Sequence, residues 1–179
     1  MSGPDPPPAA ESRHALRGGS EVRIRPIRAE DHEPLAEGVE RMSPDSRYLR
    51  FLTPLKRLDD RALDYLTDID HSSHEALVAI DPATRDGIGV ARYVRAADRP
   101  GSAEVAVAVA DAWQRRGLGA LLLELLARRA RQEGIERLTA LVLEANPGSL
   151  ALLETLGPTE IVRHGDGTAL VEVPLAPHR

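Results

Sequence analysis

The sequence predicts a mixed α/β fold, and three features carry that reading. Three apolar segments, 75–81, 87–96 and 103–110, follow one another with turn residues between them: Asp81 and Pro82, then Arg99, Pro100 and Gly101. An amphipathic run over 118–133 comes next. Leu118, Leu121, Leu122 and Leu125 recur there at helical spacing, while Glu124, Arg128, Arg131 and Gln132 take the other face. Strand and helix patterns then alternate to the end of the chain.

Taken in order, residues 1–20 are rich in Pro, Gly, Ser and charge and cannot bury enough apolar surface to offset ordering, so they are expected to form a disordered tail. Residues 21–179 are expected to form a single domain. Val22, Ile24 and Ile27 interleave with Arg23, Arg25 and Arg28 as a strand broken at Pro26. Asp31 and Pro34 open a helix that runs to Met42. Ser43, Pro44 and Asp45 cap a second helix through about Phe51, and 59–67 forms a third. After the three strands and the long helix, Gly134 is the C-cap. Residues 138–143 read as a strand and 147–156 as a helix ended by Gly157. Two strands, 159–164 and 168–174, flank the turn Gly165, Asp166, Gly167.

Composition excludes several functions. The chain has no cysteine, which removes disulfides, thiol nucleophiles and thiolate metal sites. A net charge of −5 argues against general nucleic-acid binding. No apolar run approaches the ~20 residues of a membrane span, and no signal segment is visible, so a cytoplasmic location is expected. Lys56 is the only lysine among 23 basic residues, which fits a bias toward arginine codons. His71 and His74 form a pair without a third nearby ligand, so no metal site is expected. Asp59, Asp60, Asp64, Asp68 and Asp70 crowd the third helix and its exit. They read first as a solvated face and second as an attractor for a cationic amine.

The most informative stretch is Gln114, Arg115, Arg116, Gly117, Leu118, Gly119, Ala120. It joins an apolar strand to the long helix. A glycine-rich turn there leaves N–H groups unpaired at a helix N-terminus, which makes an anion site. Two arginines add charge suited to a pyrophosphate. A P-loop would need Lys and Ser or Thr after its last glycine, where Ala120 and Leu121 stand. A dinucleotide fingerprint would need a third glycine, where Leu122 stands. The stretch resembles the acyl-CoA pyrophosphate loop of the GNAT superfamily of N-acyltransferases, whose pattern is Gln/Arg-x-x-Gly-x-Gly/Ala. A second partial motif is in register: Asn146, Ser149, Leu152 and Gly157 fit the family pattern, whereas Leu153 replaces its tyrosine and Pro158 its phenylalanine. Residues 42–51, Gly89 to Tyr93, and Val109 to Gln114 look like bacterial protein-lysine acetyltransferases of that superfamily.

This resemblance implies a GNAT-like, mostly antiparallel central sheet of about six to seven strands with flanking helices. It implies acetyl-CoA as acyl donor, no metal, and direct ternary-complex transfer to a primary amine. A protein lysine is the first expectation and a small amine the second. With Leu153 in place of tyrosine, a non-catalytic acyl-CoA sensor also stays open, as does a homodimer. Glu104, the only carboxylate within its strand, is the candidate base, acting through water, with part-burial raising its pKa. Its competing reading is a structural pair with Arg92 or Arg95. Glu144 and Glu160 are weaker alternatives. The family pattern places Val107 at the acyl carbonyl and Val109 at the pantetheine arm, which requires the strands over 103–110 and 138–143 to splay. Gln114, Arg115, Arg116, Gly117, Leu118, Gly119, Ala120, Asn146 and Ser149 complete the expected donor site. Tyr93 or water is left to protonate the departing thiolate.

Overall fold

Alternating burial builds the sheet. In the computed structural model, which describes residues 10–51 and 57–175, eight strands lie side by side. They are β1 (Ser12–Ala15), β2 (Glu21–Pro26), β3 (His74–Ile80), β4 (Gly87–Arg95), β5 (Ser102–Val109), β6 (Arg137–Leu143), β7 (Glu160–Arg163) and β8 (Thr168–Pro174). Their order is β1-β2-β3-β4-β5-β6-β8-β7. Every neighbouring pair is antiparallel except β5 and β6. Lys56 and residues 1–9 and 176–179 lie outside the described residues.

One strand stands where the tail was expected. β1 pairs with β2 from Ser12↔Ile24 to Ala15↔Glu21, Leu16 is buried, and Gly18 and Gly19 take positive φ in the turn between them. The segment is too polar to signal a strand alone. The open edge of β2 supplies the backbone partners that its composition does not reveal.

The helices are α1 (His32–Arg41), α2 (Pro44–Phe51), α3 (Asp60–Thr67), α4 (Leu118–Gln132) and α5 (Pro147–Glu154). Local chemistry sets their starts. The Ser43 hydroxyl accepts from the Ser46 N–H at 3.1 Å, and Asp59 accepts from the Ala62 N–H at 2.8 Å. Asp31 instead closes the β2 exit, accepting two 2.7 Å bonds from Arg25 and one from the Arg28 N–H.

α4 fills one side of the sheet. Leu118, Leu122, Leu123, Leu126, Ala127 and Ala130 are buried against Val22, Leu77, Ala91, Tyr93, Val105 and Leu138. The buried stripe is wider than the leucine spacing suggested, because a helix lying on a sheet needs more than a narrow seam. Arg129 also falls inside it, facing the fully buried Glu75 with Nε 3.3 Å from Oε2. A second cluster, Ile27, Ala76, Val78 and Ile80 with Leu35 and Ile69, covers the opposite side under α1 and α3.

Candidate active site

The site begins where two strands part. β5 and β6 pair only over Ser102↔Arg137, Ala103↔Leu138 and Glu104↔Thr139. Beyond Glu104, β5 continues along β4 to Gly89↔Val109, while β6 continues along β8 to Leu143↔Thr168. A cleft therefore opens between them, as the resemblance required. The backbone of β5 lines it. Ala96 N–H donates to Ser102 O, and Ala110 N–H donates to Ile88 O. The two-residue period of an antiparallel ladder then turns the peptide groups of Ser102, Glu104, Ala106 and Ala108 to β4. Those of Val105, Val107 and Val109 face the cleft. Val107 and Val109 pack their side chains on the α4 core.

The loop at the head of the cleft has the expected form. Gly117 takes φ 86° at the N-cap of α4, and Arg115 takes φ 61°, a left-handed conformation uncommon for a side chain with a Cβ. The N–H of Leu121 donates to Gly117 O at 3.1 Å. The N–H groups of Leu118, Gly119 and Ala120 precede that bond and have no acceptor within the helix. Leu118 contributes only its backbone, since its side chain is 1% exposed in the core. Arg115 and Arg116 are exposed, and the Arg116 guanidinium lies 5.1 Å over the Trp113 ring. A Cβ on Gly119 would sit 3.4 Å from Leu152 and 3.6 Å from Val109, so this glycine borders the cleft.

Gln114 has a local role. Its amide donates to Val109 O at 3.1 Å, to Asp111 Oδ1 at 3.2 Å and to Ser46 Oγ at 3.4 Å. Ser46 donates to Asp111 at 2.6 Å, and the Ser43 N–H donates to the same carboxylate at 3.0 Å. The Ser46 and Ser43 bonds outweigh desolvation and hold the Asp111 carboxyl below its ordinary pKa. This knot ties the start of α2 to the end of β5. Sequence reading missed Ser46 and Asp111, because their partners lie more than sixty residues apart.

A cavity of about 820 Å³, counted with its open mouth, fills the cleft. Leu49, Arg50, Glu104, Val107, Ser149 and Leu153 are among its walls. Glu104 is exposed rather than part-buried. Its expected structural partners are engaged elsewhere: Arg92 bonds Leu66 O and His74, and Arg95 bonds Pro100 O and Glu133 O. Arg50 is the cation that senses Glu104. Burial lowers the Arg50 pKa and the Glu104 charge opposes that shift. Glu144, paired with Arg163 at 3.3 Å, and Glu160, on β7, are not among the cavity walls.

Asn146 and Ser149 satisfy one another at the start of α5. The Asn146 amide donates to Ser149 Oγ at 2.6 Å, and its oxygen accepts from the Ser149 N–H at 3.3 Å. Leu153 is buried, with no group to give a proton. Tyr93 cannot serve either. Its ring is fully buried, its hydroxyl donates to Ser72 O at 3.1 Å, and burial next to the Glu75 charge raises its pKa. Among the described residues no group of three or more His, Asp or Glu could hold a metal ion. His71 contacts Glu75 at 2.8 Å. His74 is kept neutral, with its pKa at about 4, by burial and the Arg92 charge.

Among the described strands the sheet is split at its one parallel pair, with an open helix N-terminus at the head of the split, the arrangement that the resemblance to acyl-CoA-handling transferases implies. The chain belongs to the GNAT acetyltransferase family: the family described as "Acetyltransferase (GNAT) domain" matches residues 21–159. It is therefore an acetyltransferase with acetyl-CoA as donor. It is 36% identical over 155 residues to Acetyltransferase PA5475 of Pseudomonas aeruginosa, covering 83% of this chain and 82% of that one. It is 31% identical to Acetyltransferase Pat of Mycolicibacterium smegmatis, covering 90% of this chain but only 48% of that protein, so it spans about half of it. The GNAT domain of S. lividans PAT superimposes with a TM-score of 0.85 at 34% identity, over 92% of this chain and 97% of that one.

Proposed function

We propose that this acetyltransferase moves the acetyl group directly to a primary amine, that of a protein lysine, in a complex holding donor and acceptor together. The observation that carries the reading is the cleft itself, open at the unpaired edge of β5 with Glu104 at its root. Acetyl-CoA supplies a thioester carbonyl. The free N–H groups of Leu118, Gly119 and Ala120, with the α4 dipole behind them, cradle its pyrophosphate, and Arg115 and Arg116 add charge. The Val109 N–H holds the pantetheine arm as one strand edge holds another. The Val107 N–H donates to the acyl oxygen as negative charge develops there.

An ammonium of pKa about 10.4 must lose a proton before it attacks. Glu104 takes that proton through water, as its exposed position allows. The chain has no cysteine to carry the acetyl group, which favours direct transfer. With Leu153 apolar and Tyr93 sealed, the thiolate leaves unassisted or with a proton from water. A thiol of pKa near ~8.5 permits this.

The resemblance of residues 42–51, Gly89 to Tyr93 and Val109 to Gln114 to bacterial protein-lysine acetyltransferases supports the protein-lysine reading. The test is transfer from labelled acetyl-CoA into a total cell extract. Label in protein bands supports it. Label confined to small molecules moves the acceptor to a metabolite amine. Donor binding with no transfer to either fraction would leave a sensor.

A further inference from the structure

Two guanidinium groups, Arg50 in the cleft wall and Arg92 beside it, have no carboxylate paired with them in a salt bridge among the described residues. Arg92 on β4 stands directly opposite Ala106, a cavity wall, on the same sheet face as Glu104. It is only 5% exposed. Its Nη1 donates to Leu66 O at 3.1 Å and to His74 Nε2 at 3.0 Å. Since arginine only donates, His74 Nε2 is the acceptor, and the neutral ring adds no charge. Nε of Arg92 is buried without a partner, and Nη2 makes no hydrogen bond among the described residues. These two nitrogens form the edge of a guanidinium that grips a carboxylate with two parallel bonds.

Arg50 is its neighbour. The Arg92 pKa is pushed down to about 10, first by burial and then by the Arg50 charge. Neither arginine closes a salt bridge among the described residues. Two acids of α3 and the turn after it are engaged elsewhere. Asp64 faces His32 at 3.4 Å, and Asp70 is spent on the N–H groups of Ser72 and His74 and the Ser73 hydroxyl. Glu104 is the one carboxylate that acts on Arg50, and it loses its charge when it accepts the amine's proton. The amine is then neutral, and the two guanidinium groups are left with no negative charge among the described residues to offset them. Buried charges without partners are strongly unfavourable.

We infer that the acceptor brings its own counter-ion: the amine is presented beside a carboxylate, which seats on the free edge of Arg92 with Arg50 as second cation. This rests on the proposed transfer to a primary amine and narrows which amines qualify. The carboxylate belongs either to a free amino acid or to an acidic residue flanking a lysine in a protein. Asp and Glu side chains and free α-carboxylates share the chemistry.

The test pairs each carboxylate with its neutral amide. Amino acids are compared with their amides, and lysine peptides flanked by Glu with the same peptides flanked by Gln. Turnover is measured at low and high acceptor concentration. Binding of glutarate, which carries no amine, is measured by calorimetry on the acetyl-CoA complex. The expected result is at least a tenfold advantage in kcat/KM for the carboxylate member, mainly through KM, with glutarate bound and released by salt. Arg92→Lys, which lacks the Nε edge, and Arg50→Met, on a part-exposed helix position, should each bring the paired ratio near one and abolish glutarate binding. Preference within the amino-acid pairs assigns a small-molecule source, and preference within the peptide pairs a protein source. Equal turnover of both members with no glutarate binding overturns the inference while leaving amine transfer intact. Glutarate binding lost in the Arg50 variant, with no amine acetylated, supports the anion site and removes the transfer reading instead.

Discussion

Gly119 is the position at which the proposed donor loop can be told apart from ordinary helix packing. It occupies the first turn of α4, and a Cβ there would lie 3.4 and 3.5 Å from the Leu152 methyls and 3.6 Å from Val109. These are ordinary contacts, and the backbone φ is not positive, so Gly119→Ala should fold well. Alanine should even stabilise the helix by about 0.5–1 kcal/mol. Acetyl-CoA affinity should then change by less than about threefold, since the N–H donors of Gly119 and Ala120 are backbone groups.

Gly119→Glu differs in one respect, the carboxylate it carries into the cleft mouth. A negative charge held about 6 Å from a phosphate at an effective dielectric of about 20 costs roughly 3 kcal/mol for each unit charge. That corresponds to about a hundredfold in Kd before screening by salt. The carboxylate also competes for the same free N–H groups. Calorimetry with acetyl-CoA should therefore show at least a hundredfold loss at low salt, partly recovered at high salt. Thermal unfolding without ligand should stay close to that of the Ala variant. A folded Glu variant that binds acetyl-CoA within threefold of the native protein would refute the loop assignment.

Three further outcomes follow from the geometry. Glu104→Gln should lower kcat at neutral pH by about 10²-fold or more, within the usual range for a general base, and leave acetyl-CoA affinity nearly unchanged; unaltered turnover in steady-state kinetics would remove Glu104 as base. Asn146→Ala should cost about 1 kcal/mol of stability in urea unfolding, the usual value of an N-cap. Its acetyl-CoA affinity should change less than about threefold because Ser149 already occupies the amide, and a tenfold loss would show that Asn146 holds the donor. His74, held at about 4 against an ordinary 6.5, favours the folded state only when neutral. Its contribution is complete above about pH 6.5 and is lost as pH falls through 4, to a limit of roughly 3 kcal/mol. Asp70, held at about 2 by bonds from Ser73, Ser72 and His74 that outweigh desolvation, stays ionised over that window. Urea midpoints of the native protein and His74→Gln should therefore converge on acidification, and parallel curves would contradict this.

Local rules made much of this protein readable from its sequence. Apolar alternation placed β3, β4 and β5, leucine spacing placed α4, and Gly117 and Gly119 marked the open helix end. These features arise within a few residues, where backbone geometry and periodicity dominate. The register of motif residues also placed Val107 and Val109 at the cleft. What lay outside that reach depended on distant partners. β1 is ordered by the free edge of β2, and Arg129 and Glu75 are buried because each finds the other across 54 residues. Tyr93 was excluded as an acid only by its burial, and Glu104 proved exposed rather than part-buried.

The sequence by itself therefore determined most of the elements, the family and the glycine-rich turn at the open end of α4, since each is written in contiguous spacing. Only the tertiary structure decided where β5 and β6 part, which side chains line the cleft, and which guanidinium edge is left without a partner. Those properties belong to groups brought together by the sheet order. Burial and charge balance are sums over neighbours in space, and the order of residues along the chain does not state them.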